Sequence, residues 1–411
     1  MGKTVHPRVG IIASGDDFFG REKEQRDFWN RIENSNLMLL APRRVGKTSL
    51  LRRLQEESLS HGFQTVFLDV ASASDELAFV KLLYEAVLET QKAEWFFEQA
   101  KQSPIAKFLK RVQKIRGWGF EIDLAGNKAV DWRELGKTLV EILQKLEGRW
   151  LIEIDELPLF LLTLRQLENN ASNQRTSAFL YWFRNCLRQP YHETLRWTLA
   201  GSIGLDTVVD RLKLTGAIND FVGFPLGAFD NGIADHFLQA LTEGQKAYNQ
   251  NIDFPAETRA YAIERISWPI PYYVQILFAE LCELHDDKVH DDKAKPLSPA
   301  DVDMAFDRLL IPEHRNYFGH WKNRLEPELG TLESSYAVDL LNASCRAPNG
   351  ASLEVLAQAL GRRIHDPNER DEGLHYLLNV LQNDGYGVKE GGRFRFRSPL
   401  LREYWLRHVV P

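Results

Sequence analysis

The sequence predicts an α/β core with a parallel sheet, followed by a helical domain and a small domain of helices and a β-hairpin. Two observations predict the core. Apolar runs alternate with helical patterns in the order β-α-β-α, and each run is continuously apolar, as a sheet covered on both faces requires. A third observation predicts the domains behind it, because strand patterns stop after Phe229 and successive helical patterns follow. The length of 411 residues suits such a division, since single cores rarely grow beyond about 250–300 residues.

The core elements begin at Leu37, where a short apolar run enters a turn that contains Pro42 and Gly46. An apolar-periodic helix follows the turn, so the order is strand, loop, helix. The predicted strands are 37–40, 64–70, 150–154 and 195–200, and the predicted helices include 48–54 and 76–89.

The second half predicts a helical lid domain and a winged-helix domain. The lid helices are predicted at 232–241, 256–266, 272–284 and 299–310, and Ser298 before Pro299 suits a helix N-terminus. Three short helices at 337–341, 353–360 and 374–381, followed by a hairpin at 387–397, are typical of a winged helix. We therefore expect domains at 1–229, 230–311 and 331–411, with a linker at 312–330 where prolines occur and periodic apolar positions are few.

Composition indicates an ordinary globular protein, with 44% hydrophobic and 26% charged residues. The net charge of -6 means that the chain has no overall positive charge to attract nucleic acid or an anionic membrane. Three cysteines, far apart and odd in number, exclude a disulfide framework and a CxxC metal site and suit a reducing cytosol. No apolar run reaches the ~20 residues of a membrane span, and no signal-peptide pattern opens the chain. We expect a cytoplasmic protein without a membrane span.

The sharpest motif is the segment Ala41–Thr48, APRRVGKT, which lies between a predicted strand and a predicted helix as a phosphate-binding P-loop must. Backbone N–H groups of the loop and helix N-terminus can surround phosphate oxygens, Lys47 can neutralise the β/γ charge, and the Thr48 hydroxyl can ligate Mg²⁺. Ala41 replaces the first glycine of the motif, which alanine can do if its φ stays negative. The predicted nucleotide-binding residues of this loop are Pro42, Arg43, Arg44, Val45, Gly46, Lys47, Thr48 and Ser49.

A second element supports the first. The segment 150–156, WLIEIDE, is an apolar strand that ends in two carboxylates and resembles a Walker B motif. Asp155 is predicted to hold the Mg²⁺ shell, and Glu156 to orient and polarise the attacking water. A strand that ends in Asp-Glu is weak evidence alone, but about a hundred residues beyond the P-loop it predicts a P-loop NTPase core.

Two further segments have both a functional and an ordinary interpretation. Ser202 follows the fourth predicted strand, where a sensor of the γ-phosphate would lie beside Asp155, or it simply starts a loop. Phe19, Gly20 and Arg21 precede the first strand, where they could wrap an adenine or form an ordinary turn.

These motifs carry a family resemblance. The segments FFGREKE, APRRVGKTSL, WLIEIDELP, GSIGL and SWPIPYYVQIL together resemble AAA+ ATPases, and more narrowly the STAND ATPases whose loop reads RRxGKTSL. The resemblance implies ATP with Mg²⁺, a nucleotide switch, and often an oligomer in a signalling or defence assembly. It also implies a lid contact at Pro271 and an arginine presented to nucleotide by Arg184, or less favourably by Arg188.

Two functions remain open from the sequence. The first is an ATP-hydrolysing switch that acts through self-association or a separate effector protein. The second is a DNA-associated AAA+ initiator or loader that uses the winged helix. Charge opposes the second, because residues 331–411 hold ten Lys plus Arg against ten Asp plus Glu. Nucleic acid is therefore a possible partner that the sequence does not favour.

Overall fold

The computed structural model describes residues 4–90, 131–145, 147–168, 173–188, 194–201, 205–246, 252–290 and 295–410. Within these ranges a five-stranded parallel sheet forms the core, in the spatial order β2-β3-β4-β1-β5. The strands are β1 (Asn36–Leu40), β2 (Phe63–Asp69), β3 (Arg149–Asp155), β4 (Leu195–Gly201) and β5 (Phe221–Pro225). The core helices are α1 (Glu22–Ile32), α2 (Lys47–Glu57), α3 (Glu76–Leu88), α4 (Trp132–Gln144), α5 (Leu157–Gln166), α6 (Gln174–Leu187) and α7 (Leu205–Arg211).

Strand β1 lies between β4 and β5, and all its ladder pairs are parallel. The carboxyl ends of β1, β3 and β4 therefore meet at one edge of the sheet, where ligands of open α/β sheets bind. Alternate residues of β3 face opposite ways: Leu151 joins one apolar cluster, whereas Trp150 and Ile152 join another. The predicted parallel α/β core is confirmed, because both faces of the sheet are buried under helices.

A fifth strand corrects the four predicted from the sequence. Strand β5 pairs with β1 along its whole length at the edge of the sheet. The sequence shows no strand pattern here because Gly223 and Pro225 interrupt it, and both residue types usually break strands. Proline is tolerated on an edge strand because an N–H there needs no partner.

The second half contains helices in the lid region and a small antiparallel sheet beyond it. The lid helices are α8 (Asn231–Lys246), α9 (Ala256–Ile266), α10 (Pro271–His290) and α11 (Pro299–Arg308). The terminal elements are α14 (Thr331–Cys345), β6 (Ala351–Ser352), α15 (Leu353–Gly361), α16 (Pro367–Asn383), β7 (Gly387–Glu390), β8 (Arg393–Phe396) and α17 (Pro399–His408). The sheet order β6-β8-β7 adds a short strand, and α17 a helix, to the predicted three helices and hairpin. The assignment of this part as a winged helix stays a prediction.

The segment predicted as a linker, 312–330, is folded. It contains a 3₁₀ helix and two short helices, α12 (Gly319–Asn323) and α13 (Leu325–Leu329). Phe318, Trp321 and Leu325 are buried in one apolar cluster with residues of the lid, the terminal elements and α2. The segment is therefore part of the packed interior rather than a solvated connection, and the domain boundaries around it remain a prediction.

Side-chain caps explain where several helices begin. Asp75 accepts a hydrogen bond from the N–H of Ala78 at the start of α3, and Asp366 accepts one from Glu369 at the start of α16. Ser298 and Asp301 form a reciprocal capping box at α11. None of the helices in the described ranges combines the length and the apolar character that crossing a bilayer requires.

Candidate nucleotide site

The P-loop connects β1 to α2, and its backbone turns sharply at two residues. Arg44 and Gly46 have φ values of +64° and +94°, in the left-handed region. Glycine adopts this conformation readily, whereas arginine does so at a conformational cost. The turn allows α2 to begin at Lys47, so the unpaired N–H groups of its first turn point into the loop. This arrangement is a ready anion site at the N-terminus of an eleven-residue helix.

Lys47 lies between the two carboxylates that end β3. Its Nζ is 2.9 Å from Asp155 Oδ1 and 3.2 Å from Glu156 Oε1. Burial alone would lower the pKa of Lys47, but the two carboxylate charges and their hydrogen bonds outweigh it, and the net shift is upward. Lys47 is therefore a buried cation whose counter-ions are the predicted Mg²⁺ ligand and the predicted catalytic carboxylate.

Thr48 and Asp155 supply a donor set that suits Mg²⁺. The Thr48 hydroxyl donates to Asp155 Oδ2 at 3.2 Å, so both oxygens face the same space beside Lys47. No group of three or more His, Cys, Asp or Glu side chains with metal-binding geometry occurs in the described ranges. Mg²⁺ usually takes one or two carboxylates together with waters and substrate phosphates, so this sparse set fits a Mg-nucleotide and not a metal cage.

Glu156 adopts a left-handed backbone conformation, with φ +59° and ψ +30°, directly before α5. Its N–H donates to Asp155 Oδ1 at 2.9 Å. This conformation costs free energy for a residue other than glycine, and residues strained in this way concentrate at functional sites. The turn brings the Glu156 carboxylate to Lys47 instead of continuing the strand direction.

Arg21 ties the P-loop to two other segments. Its side chain is almost fully buried and donates through Nη2 to the carbonyl oxygens of Val45, at 2.9 Å, and Gly227, at 2.7 Å. Nη1 donates to Glu24 at 2.6 Å, and the guanidinium lies 4.6 Å from the centre of the Phe229 ring. Arg21 therefore holds the P-loop backbone against the chain that follows β5.

The neighbours of Arg21 divide between the cavity and the packing. Phe19 lines the cavity, with its ring centroid 5.2 Å from that of Phe237. Gly20 does not line it: a Cβ there would lie 2.5 Å from Ile233 and 3.2 Å from Phe229, so Gly20 permits close packing at φ +71°. The predicted nucleotide contact of Gly20 is therefore a packing role in the structure.

The cavity has a volume of about 240 Å³ and is lined by the P-loop, Glu156 and residues from four other parts of the chain, 8–13, 17–21, 229–237 and 271–275. One of these is an N-terminal arm, residues 4–13, that sequence reasoning missed. Ala13 donates its N–H to the Ser49 hydroxyl at 3.1 Å, and Val5 donates to Ala240 at 3.2 Å. Ile11 and Ile12 are 67% and 48% exposed at this arm. Exposed isoleucines beside Phe19 offer an apolar surface suited to a purine base.

The lid contributes through the start of α10. Pro271 lines the cavity, and its Cγ is 4.0 Å from the position of a Cβ built on Gly46, which places the predicted lid proline beside the P-loop. The Arg44 guanidinium lies 4.4 Å from the centre of the Tyr272 ring. Gln275 also lines the cavity and accepts a hydrogen bond from the N–H of Arg8. Tyr272 and Gln275 belong to the segment SWPIPYYVQIL, from which the sequence analysis singles out only Pro271, so the fold adds these two residues to the site.

Two further predicted residues remain to be located. Ser202 lies outside the described residues. Arg184 bonds Asp220 Oδ2 at 3.0 Å, just before β5 and at the amino end of the strands. The P-loop is at their carboxyl end, roughly 15 Å away for a five-residue strand. This position does not support a contact between Arg184 and a nucleotide bound to its own chain, and Arg188 shares the same Asp220 partner.

Comparisons with known proteins bear on the fold. No family model matches the chain, and no curated protein matches its sequence. The solved structure of a Walker-type ATPase of Pyrococcus abyssi is similar over 97% of both chains, with a TM-score of 0.57 and 20% identity. The ORC2 protein of Aeropyrum pernix is similar over 97% of this chain and 94% of its own, with a TM-score of 0.46 and 13% identity. RuvB of Thermotoga maritima, a Holliday junction branch migration motor, is similar over 97% of this chain and 98% of its own, with a TM-score of 0.40 and 14% identity.

The likeness to the Walker-type ATPase, together with the parallel sheet and the position of the P-loop, leads to one conclusion about architecture. This chain has the fold of a P-loop NTPase.

Proposed function

We propose that this protein is an ATP-hydrolysing molecular switch of the AAA+ type, similar to STAND ATPases, that couples Mg-ATP to a rearrangement between its parts or its copies. The observation that carries the proposal is the contact of Lys47 with both Asp155 and Glu156. It joins two motifs more than a hundred residues apart at the edge of the sheet where parallel α/β folds bind ligands.

Each residue has a distinct part in this function. Lys47 exchanges its carboxylate partners for β- and γ-phosphate oxygens when nucleotide enters. Thr48 and Asp155 hold Mg²⁺, which would neutralise charge on the phosphates during cleavage. Glu156, released from Lys47, orients water for attack on the γ-phosphorus as general base. Arg21 keeps the P-loop carbonyl of Val45 in place throughout.

The switch follows from the walls of the cavity. Its lining comes from the core, the N-terminal arm and helices α8 and α10 of the lid region, so nucleotide would contact all of these segments at once. Only a ligand that interacts differently with two arrangements can shift their equilibrium, and the γ-phosphate provides that difference between ATP and ADP. We propose further copies of this chain or a separate effector protein, in a signalling or defence assembly, as its partners.

Duplex DNA is not favoured as the partner. In the winged-helix interpretation α16 would enter the major groove, yet its first turns contain Glu369, Asp371 and Glu372, and it packs against α7 of the core. An acidic helix is repelled by phosphates, which opposes entry of α16 into a groove of the duplex.

The test separates binding from hydrolysis. Lys47→Ala should weaken Mg-ATP affinity by about tenfold or more, because Lys47 meets phosphate charge already in the ground state. Glu156→Gln should retain affinity and slow hydrolysis by about 10²–10⁴-fold, because a general base acts in the transition state. Calorimetric titration and a phosphate-release assay measure the two effects.

Lys23→Ala is the matched control, since Lys23 is exposed on α1 and should leave both quantities unchanged. An equal loss of affinity in Lys47→Ala and Glu156→Gln would contradict the assigned roles. No nucleotide binding by the wild-type chain would reject the proposed function.

A further inference from the structure

One P-loop arginine is held by an ion pair that reaches out of the core. Arg43 lines the cavity, and its Nη2 is 3.1 Å from Glu328 Oε1 on α13. The same oxygen lies 2.7 Å from Nε of Arg324. Arg43 is 12% exposed and Glu328 only 2%, so the pair is shielded from solvent and weakly screened. Through Glu328, the folded segment 312–330 is therefore joined to the P-loop.

A second carboxyl group lies behind Glu328. Asp384, at the end of α16, is fully buried, and burial followed by the charge of Glu328 raises its pKa well above the ordinary value. Burial also raises the pKa of Glu328, which the charge of Arg324 opposes. Because Glu328 faces two guanidinium groups, it is the carboxyl that carries the negative charge of this cluster.

The backbone after Asp384 rests directly on the P-loop. Gly385 has φ +90°, and a Cβ there would lie 2.9 Å from Pro42 Cβ and 2.8 Å from the Trp268 ring. No side chain would fit at this position without displacing Pro42 or Trp268. A shift of the P-loop at Pro42 or Arg43 must therefore disturb both the Gly385 turn and the Glu328 ion pair.

Glu328 reaches the phosphate site through Arg43. Arg43 lines the cavity together with Lys47 and Glu156, which mark the proposed β/γ position. A γ-phosphate adds negative charge there, so it is repelled by Glu328 and competes with it for Arg43. ADP ends one phosphate earlier and exerts the weaker competition.

We propose that Glu328 is the residue by which this site distinguishes ATP from ADP: a γ-phosphate displaces Glu328 from Arg43 and thereby releases segment 312–330 and the Gly385 turn from the P-loop, whereas ADP leaves them in place. The inference rests on the proposed nucleotide function and specifies its regulation.

The experiment compares Glu328→Gln with Glu326→Gln. Both positions lie on α13, but Glu326 is exposed and its acceptor role toward the Thr331 hydroxyl is retained by glutamine. Calorimetric titration with Mg-ADP and with the non-hydrolysable Mg-AMP-PNP measures the affinities. Glu328→Gln should bind AMP-PNP about tenfold more tightly and leave ADP affinity within about twofold, because only the triphosphate competes with the removed charge. Glu326→Gln should match the wild type.

Hydrogen–deuterium exchange provides a readout that does not depend on affinity. AMP-PNP, and not ADP, should accelerate exchange in α13 and at residues 384–386 of the wild type, and Glu328→Gln should show this faster exchange without nucleotide. If Glu328→Gln fails to fold, Arg324→Gln is the second variant: it leaves Glu328 with Arg43 as its one guanidinium partner, tightens that pair, and should weaken AMP-PNP binding relative to ADP.

The outcomes are distinguishable. Equal shifts for both nucleotides in Glu328→Gln, or unchanged exchange in the wild type with AMP-PNP, would overturn the inference and leave the proposed function intact. Failure of the wild type to bind either nucleotide would overturn the proposed function and the inference together.

Discussion

Glu153 is a carboxylic acid at the centre of the sheet with no hydrogen-bond partner for either side-chain oxygen in the described part of the chain. It lies opposite Thr198 of β4, whose hydroxyl also lacks a partner there. Burial, and then the charge of Asp155, raises the pKa of Glu153 well above the ordinary value, with a smaller opposing contribution from Arg52. Burial thus favours the protonated form of a side chain that lies two residues before Asp155, the predicted Mg²⁺ ligand.

This pKa makes stability depend on pH. The folded pKa exceeds the unfolded one, so the native state binds the proton more tightly and stability falls as pH rises above about 4.3 toward the folded value. Glu153→Gln removes that loss and should raise the free energy of unfolding at pH 8, by on the order of 1–3 kcal/mol, with the difference shrinking toward pH 4. Urea denaturation from pH 4 to 8 measures it. Glu147→Gln, at an exposed position, is the control, and a difference independent of pH would contradict the prediction.

At the scale of elements, Arg21 shows how one side chain positions several segments. It joins the start of α1, the P-loop and the chain after β5 through two carbonyl oxygens. Lysine keeps the charge but cannot supply the planar fork of donors.

Arg21→Lys should therefore lower the free energy of unfolding by about 2–3 kcal/mol, because a buried carbonyl loses a charged donor. It should also weaken nucleotide binding, since Val45 belongs to the P-loop. Thermal unfolding and nucleotide titration test this against Arg26→Lys, an exposed arginine on the same helix. Equal behaviour of the two variants would exclude a positioning role for Arg21.

The elements also show what a sequence can reveal of this site. Local motifs predicted Lys47, Thr48, Asp155 and Glu156, because phosphate and metal chemistry requires those residue types beside a strand end, and the structure brings all four together. The resemblance to AAA+ ATPases predicts that Arg184 contacts nucleotide, but the last residues of α6 precede β4 and so lie at the end of the sheet away from this chain's own P-loop. A contact with nucleotide on a neighbouring copy stays a prediction.

Other features depend on contacts between distant segments, which no local pattern contains. The N-terminal arm has no periodicity, yet it reaches the cavity through bonds to α2, α8 and α10. The 312–330 segment was interpreted as a linker from its prolines, yet Pro312 begins a 3₁₀ helix and Pro327 lies within α13. Tertiary packing around Trp321 overrides both local signals.

At the scale of the whole molecule, the cavity lies between the core, the N-terminal arm and the lid region, so bound nucleotide would affect how these parts are arranged. The Glu156→Gln chain, in which we expect slow hydrolysis, should differ between ATP and ADP in radius of gyration, or in mass if copies assemble, because only ATP would present a γ-phosphate to Lys47 and Arg43. Small-angle scattering and analytical ultracentrifugation measure both. Identical radius and mass in the two states would contradict the proposed switch. The protein would then be a constitutive ATPase or an inert nucleotide-binding scaffold.

The N-terminal arm has a consequence for how the chain is made. Val5 and Arg8 of this arm bond α8 and α10, so the arm packs against segments that are synthesised more than two hundred residues after it. Because synthesis adds about 5–20 residues per second, Gln275 is made on the order of ten seconds or more after the P-loop. The cavity cannot be complete before then, so the proposed nucleotide site is still open on the nascent chain.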